Sequence, residues 1–176
     1  MSAVNRKWTD GMLITEDWWA VWLGLIIFFA GLMTIFGIDL LGWMTKLKTW
    51  EMTHLLGDFS WSMILKPASK AYSELHPLVS LFITYLIFAG LTSIGAYYQR
   101  LDVKQFLKGF TLLFIITWAC WIVGHEAHFK AIDAVVKGKN YFEVYDLSWG
   151  LQLGGGFSYM LALAVGLLIG NVFKGF

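Results

Sequence analysis

The sequence predicts an all-α integral membrane protein with about four membrane-spanning helices, and three observations carry that prediction. Of its 176 residues, 58% are hydrophobic and only 14% are charged, whereas a soluble domain of this size needs roughly 25% charged residues. Four stretches almost free of charge are each long enough to cross a hydrocarbon core of about 30 Å. Many Trp and Tyr residues stand at the ends of these stretches, where amphipathic rings settle at a membrane interface.

The first span is predicted at residues 18–38, which carry no charge. Thr15 can cap this helix, and Glu16 and Asp17 place negative charge at the positive end of the helix dipole. The second span is predicted at 77–98 and begins with a proline, which the first helical turn tolerates. The residues predicted to anchor both spans at the interface are aromatic: Trp18, Trp19, Trp22, Tyr97 and Tyr98.

The third span is predicted at 106–124, with Lys108 extending its ammonium group to the interface. Asp102 and Gln105 have capping-box spacing just before it, which favours a helix that starts near Val103. The fourth span is predicted at 150–171, within a charge-free stretch that is rich in glycine. Four spans would place both termini on the same side of the membrane.

Two longer connections, residues 39–76 and 125–149, separate these spans. The segment from Leu40 to Trp50 mixes Trp, Leu, Met and Lys, as helices that lie in the interface do. An ordered loop is the alternative for these connections. The predicted organisation is therefore a polar tail at 1–17, a three-span module at 18–149, and a fourth span within 150–176.

Composition also excludes some classes of function. A net charge of +1 without a dense basic patch excludes nucleic acid as a partner, since binding it requires neutralising several phosphates. The single cysteine, Cys120, excludes an intrachain disulfide. No convincing nucleophile, base or metal triad is present, so the chain is not expected to be an enzyme.

His125, Glu126 and His128 form the tightest cluster of metal-capable groups and are weak candidates for a metal site. On one helix the two histidines would share a face. A zinc-protease motif places its histidines four residues apart, whereas these are three apart, and nothing in the sequence places a third ligand nearby. A polar interfacial end to the third helix is the favoured interpretation. A bis-histidine haem site is disfavoured because all four histidines lie at helix ends or in loops. No metal and no cofactor is expected.

Pairs of glycines spaced by four residues predict close approach of a neighbouring helix within the membrane. The candidates are Gly150, Gly154, Gly166 and Gly170. The run from Gly154 to Gly156 has two interpretations. It indicates either a break in a spanning helix, of the kind at which transporters bind substrate, or a loop that precedes a shorter helix at 157–170. The loop is favoured.

Several segments resemble one family of membrane proteins: Thr15 to Leu25 (TEDWWAVWLGL), Pro67 to Tyr72 (PASKAY), Cys120-Trp121 and Gly124-His125. They are similar to the N-terminal extension of long-form YeiH-type proteins, a family assigned to sulfate export. The segment from Leu161 to Asn171 (LALAVGLLIGN) resembles the point at which that family's transport core begins. The resemblance covers the whole chain.

The resemblance implies a non-catalytic N-terminal membrane module of an inorganic-anion exporter, located in a bacterial inner membrane. Its implied work is scaffolding, docking or gating of a core that lies beyond residue 176, because family members of this form continue for many more helices. The implied partners are the lipid bilayer, that core, and further copies in a homo- or hetero-oligomer. No substrate-binding residue carries over. The alternative is a stand-alone accessory subunit of a larger respiratory or photosynthetic membrane complex.

Overall fold

A computed structural model describes residues 12, 14–57, 59–131, 135–136 and 139–172 of the chain. Within these residues, four helical segments are long and apolar enough to cross a membrane, and there is almost no β-sheet. The predicted fold class is therefore confirmed. The four segments each coincide with a predicted span: Glu16–Phe36, Pro77–Tyr98, Val103–Gly124 and Gly154–Asn171.

Eight α-helices are present in the described residues, and four of them form the spans. Helix α1 is continued by a 3-10 turn at Met33–Phe36, which ends at Gly37 with a φ of +78°. Helix α8 is preceded by a 3-10 turn at Gly154–Gly156. The spanning helices are α1 (Glu16–Leu32), α4 (Pro77–Tyr98), α5 (Val103–Gly124) and α8 (Phe157–Val172). The short ones are α2 (Met52–Gly57), α3 (Trp61–Ile64), α6 (Ala127–Lys130) and α7 (Tyr141–Val144).

The starts of α4 and α5 follow from local chemistry. The Asp102 carboxylate accepts hydrogen bonds from the backbone N–H groups of Lys104 and Gln105, so α5 begins at Val103, as the capping spacing predicted. Helix α4 begins at Pro77, and the His76 ring nitrogen Nδ1 accepts a hydrogen bond from the backbone N–H of Leu78. Both helix starts thus gain acceptors for N–H groups that the helix itself leaves unpaired.

Helix α5 is the centre of the bundle and packs against both α4 and α8. Helix α1 is attached mainly at one end. There the Trp19 ring stacks on Tyr98 with centroids 5.7 Å apart and lies over Gly95, where a Cβ would come within 3.1 Å of the ring. None of the residues of α1 is buried. The contact joins the start of α1 to the end of α4, so these two helices run antiparallel.

The two long connections meet at the opposite end of the bundle and form one structured cap, which comprises the described parts of 39–76 and 125–153. Strand β1 (Thr45–Leu47) pairs antiparallel with β2 (Leu65–Pro67), and β3 (Val135–Val136) pairs with β4 (Lys139–Asn140). The segment 40–50 is therefore loop and strand, so the interfacial-helix interpretation is wrong there. The Tyr145 hydroxyl donates to the Thr49 carbonyl over 3.0 Å, which ties the second connection to the first.

Buried groups hold the cap on the spans. Ile64 and Leu65 of the cap pack with Trp118 of α5 in one hydrophobic cluster. Beside it, the Thr45 and Ser80 hydroxyl oxygens are 2.8 Å apart, and the Thr45 backbone N–H donates to the Thr84 hydroxyl oxygen over 3.3 Å. Each buried hydroxyl is thus hydrogen-bonded, as burial of polar groups requires. These contacts fix β1 against α4.

Candidate functional site

The end of α5 packs tightly against the start of α8. A Cβ added at Gly124 would lie 2.6 Å from the Cα of Ser158, a distance that van der Waals radii forbid. Ser158 is only 1% exposed. The two backbones therefore touch at this crossing because neither residue carries a bulky side chain. Sequence reasoning missed this pair, since the two residues lie on different helices and form no spaced motif.

The predicted packing pair Gly150 and Gly154 does not lie on a helix face. Gly150 precedes the 3-10 turn, and a Cβ there would come within 2.7 Å of the Phe142 ring. Gly154 has a φ of +63°, which L-residues with a side chain rarely adopt. Helix α8 begins only at Phe157, so the span predicted from residue 150 starts too early. The alternative of a loop before a shorter helix describes this segment.

Gly166 and Gly170 lie on α8, four residues apart as predicted. A Cβ added at either would meet no atom of the described chain within 4 Å. Their face of the helix is therefore not covered by another described part of this chain. Close packing through these two glycines remains a prediction about a partner helix.

The predicted interface anchors lie together at the end of the bundle opposite the cap. Trp19 stacks on Tyr98, and the ring centroids of Trp18 and Trp22 are 6.4 Å apart. The Trp22 indole N–H donates to the Met12 carbonyl over 3.1 Å. Amphipathic rings grouped at one level suit a membrane interface, which is their predicted role.

The Glu126 and His128 side chains form a hydrogen-bonded pair within the cap. One Glu126 carboxylate oxygen lies 2.7 Å from His128 Nδ1, and the other accepts a hydrogen bond from the His128 backbone N–H over 2.9 Å. The carboxylate therefore caps α6 and orients the imidazole at the same time. The His128 ring also lies against Trp149, with centroids 4.7 Å apart.

His125 belongs to a different environment. It follows the last residue of α5, and its Nδ1 lies 2.9 Å from the Trp121 carbonyl oxygen and 3.2 Å from the Ser158 hydroxyl oxygen. A carbonyl only accepts, so the Trp121 contact requires a proton on Nδ1. The chain turns between α5 and α6, and the two histidines therefore do not share one helix face.

Two ionisable groups near this turn, His125 and Lys130, are partly withdrawn from water. Burial lowers the pKa of His125, and the nearby Lys130 lowers it further, while the Trp121 carbonyl acts in the opposite direction. Burial also lowers the pKa of the Lys130 ammonium group. The burial of His125 and the charge of Lys130 both favour a neutral His125 in the folded protein.

We therefore expect the protein to lose stability as the pH falls through the histidine range. The unfolded chain takes up a proton on His125 near its ordinary pKa of about 6.5, whereas the folded chain does so only at lower pH. The melting temperature in detergent should fall between about pH 7.5 and 5.5, and the fall should be smaller in His125→Gln. An identical pH dependence in both proteins would contradict this assignment.

Within the described residues, no three His, Cys, Asp or Glu side chains come together as a metal site requires. The Nδ1 atom of His128 is hydrogen-bonded to Glu126, and that of His125 lies within hydrogen-bond distance of Trp121 and Ser158. We expect His125→Ala and His128→Ala to leave the metal content of the purified protein unchanged. Metal analysis by mass spectrometry checks this. Stoichiometric zinc or iron in the wild type, lost in either variant, would show that the cluster binds metal.

Trp50 links the two halves of the cap through its backbone and its side chain. Its backbone N–H donates to the His125 carbonyl over 3.2 Å, and its carbonyl accepts from the Ala127 N–H over 2.7 Å. Its indole N–H donates to the Ile122 carbonyl at the end of α5, over 2.8 Å. Trp50 and Glu126 thus form an isolated parallel bridge. Neither the sequence spacing nor a local motif signals this long-range contact.

Comparison with known proteins gives one informative match. The chain is 52% identical over 174 residues, 99% of its length, to a UPF0324 membrane protein of Nitrosomonas europaea. It corresponds to an N-terminal part of that protein and spans about a third (33%) of its length. No family model matches the chain, and no solved structure matches it. This similarity and the four apolar helices make the chain a multi-pass membrane protein.

Proposed function

We propose that this chain is an N-terminal, non-catalytic membrane module of an inorganic-anion exporter of the sulfate type, located in a bacterial inner membrane. It scaffolds and docks further transmembrane helices that carry out transport. The observation that carries the proposal is the 52% identity across nearly the whole chain to only a third of a larger UPF0324 membrane protein. The name of that protein states a membrane location and no substrate. The choice of an inorganic anion as substrate therefore depends on the YeiH-type resemblance.

The distribution of charge in the spans supports a role without transport chemistry of its own. Charged residues occur only in the first two turns of the spans, at Glu16, Asp17, Lys104 and Lys108. An ionisable group in the middle of a span is a default candidate for an ion pathway. The transported anion is therefore bound by other helices, and α8 presents them with an open glycine face.

The docking role is tested by adding bulk to that face. Gly166→Leu and Gly170→Leu should weaken association with a partner helix, because side chains that hold backbones apart remove van der Waals packing. The control is Ala164→Leu, which adds comparable bulk on another side of α8, since helical residues are spaced about 100° apart. Association is measured in detergent, between copies of the chain and with the co-expressed remainder of the Nitrosomonas protein.

The transport part of the proposal has its own readout. Vesicles that contain residues 1–176 alone should take up labelled sulfate no faster than empty vesicles. Sulfate flux from this chain alone would contradict a scaffolding role. Association that is equally strong in the glycine variants and in Ala164→Leu would contradict docking through α8.

A further inference from the structure

The cap contains a lysine-lined cavity of about 390 Å³ beside the β1–β2 ribbon. Four lysines line it, two from the strands and two from the segments that follow them: Lys46, Lys48, Lys66 and Lys70. Ser62, Ser69 and Ser73 also line it and provide hydroxyl groups. None of the described residues that line the cavity is an Asp or a Glu.

The strand register places two of these charges directly opposite each other. Lys46 pairs with Lys66 across the antiparallel ribbon. Like charges at directly opposite positions destabilise a sheet, so this pairing costs stability unless an anion compensates for it. Burial, followed by the charges of Lys46 and Lys48, lowers the pKa of the Lys66 ammonium group, which agrees with mutual repulsion inside the cavity.

Backbone acceptors hold two of the ammonium groups in place at the cavity. Lys46 Nζ donates to the Ala68 carbonyl over 2.9 Å, and Lys48 Nζ donates to the Ser62 carbonyl over 2.6 Å. A carbonyl carries only a partial charge, and each ammonium group has three donors. Both groups therefore retain donors and net charge for an anionic ligand.

The position of the cavity relates it to the membrane surface. Pro77, the first residue of the spanning helix α4, lines it together with Leu75. The cavity thus opens where the cap meets the start of a span, and we expect lipid headgroups at this level. Lysines at such a level attract anionic lipids.

We propose that this lysine-lined cavity binds a phosphate-type anion between the ammonium groups of Lys46, Lys48, Lys66 and Lys70. The anion comes from the headgroup of an anionic phospholipid or from inorganic phosphate in solution. The site lies in the cap and outside the spans, so the proposal concerns an anion that stabilises the cap. It stands independently of the proposed role in anion export.

The test measures the melting temperature of the purified chain with two probes, phosphatidylglycerol added to neutral detergent–phosphatidylcholine micelles, and inorganic phosphate without lipid. We expect at least one probe to raise the melting temperature of the wild type. In the double variant Lys46→Gln/Lys66→Gln, binding should be about tenfold weaker or more, and most of that rise should be lost. Without either probe, this variant should be at least as stable as the wild type, because the opposed charges are gone.

The matched control is Lys104→Gln/Lys108→Gln, which removes the same charge near the opposite end of α5 and should respond as the wild type does. A response to phosphatidylglycerol alone identifies the lipid headgroup as the source, and a response to phosphate alone identifies the free anion. A wild type that responds to neither probe would overturn the proposal. So would equal responses in the two double variants.

Discussion

Replacing Gly124 with leucine should strongly destabilise the protein, because it forces α5 and α8 apart where Gly124 lies against Ser158. Even the first added carbon would stand 2.6 Å from the Ser158 Cα, which belongs to the backbone and cannot rotate away. Overpacking of an interior costs about 1–3 kcal/mol, and a clash with a rigid backbone lies at or above the upper end of that range. The melting temperature in detergent should therefore fall by several degrees or more, and Gly124→Ala should lower it as well.

The control for this substitution lies on the same helix. A Cβ at Gly109 of α5 would meet nothing within 4 Å, so Gly109→Leu adds the same side chain without the clash. We expect Gly109→Leu to stay close to the wild type in melting temperature. Equal losses in the two variants would mean that helix propensity or insertion, and not the contact with Ser158, determines the result.

Replacing Trp50 with alanine should open the cap. Truncation of a large aromatic side chain costs about 3–5 kcal/mol when it is fully buried, and Trp50 is partly buried, so we expect about 3 kcal/mol. The ring packs against the cluster of Ile64, Leu65 and Trp118, and that packing is lost. Limited proteolysis of residues 39–76 should become much faster, and the melting temperature should fall.

The variant Trp50→Phe distinguishes the contribution of apolar ring packing from that of the indole hydrogen bond. Phenylalanine keeps apolar contact with the cluster but leaves the Ile122 carbonyl without the indole donor, a loss of about 1 kcal/mol. Its proteolysis rate should lie between those of the wild type and Trp50→Ala. A Trp50→Ala protein as resistant to proteolysis as the wild type would show that the backbone bridge to Glu126 alone closes the cap.

The spans could be predicted because their signals are local. An apolar run, a proline in the first turn and a capping aspartate act within a few residues, so α4 and α5 were placed to within three residues of their observed ends. The cap could not be predicted, because its contacts join distant segments. Strand β1 pairs with a strand about twenty residues later, and Trp50 meets the turn after α5. Leu47 and Trp50 pack against the distant residues Ile64, Leu65 and Trp118, which no local pattern indicates.

For the candidate site, too, the local features could be predicted from the sequence and the long-range contacts could not. The residue types at 125–128 identified a polar end to α5, but only the structure shows that Glu126 pairs with His128 while His125 turns toward Ser158. The glycine pattern pointed to α8, yet a tight contact between spanning helices uses Gly124 and Ser158. Spacing along one helix cannot reveal a contact made by single small residues on two helices.

The bridge between Trp50 and Glu126 also imposes an order on biosynthesis. Trp50 leaves the ribosome 76 residues before Glu126, the difference between the two positions. At a synthesis rate of about 5–20 residues per second, Trp50 is made roughly 4–15 s before Glu126. During that time α4 and α5 are synthesised as an antiparallel hairpin, and the translocon receives both before the cap closes. The contacts that Trp50 makes with the second connection therefore form only after α4 and α5 have been synthesised.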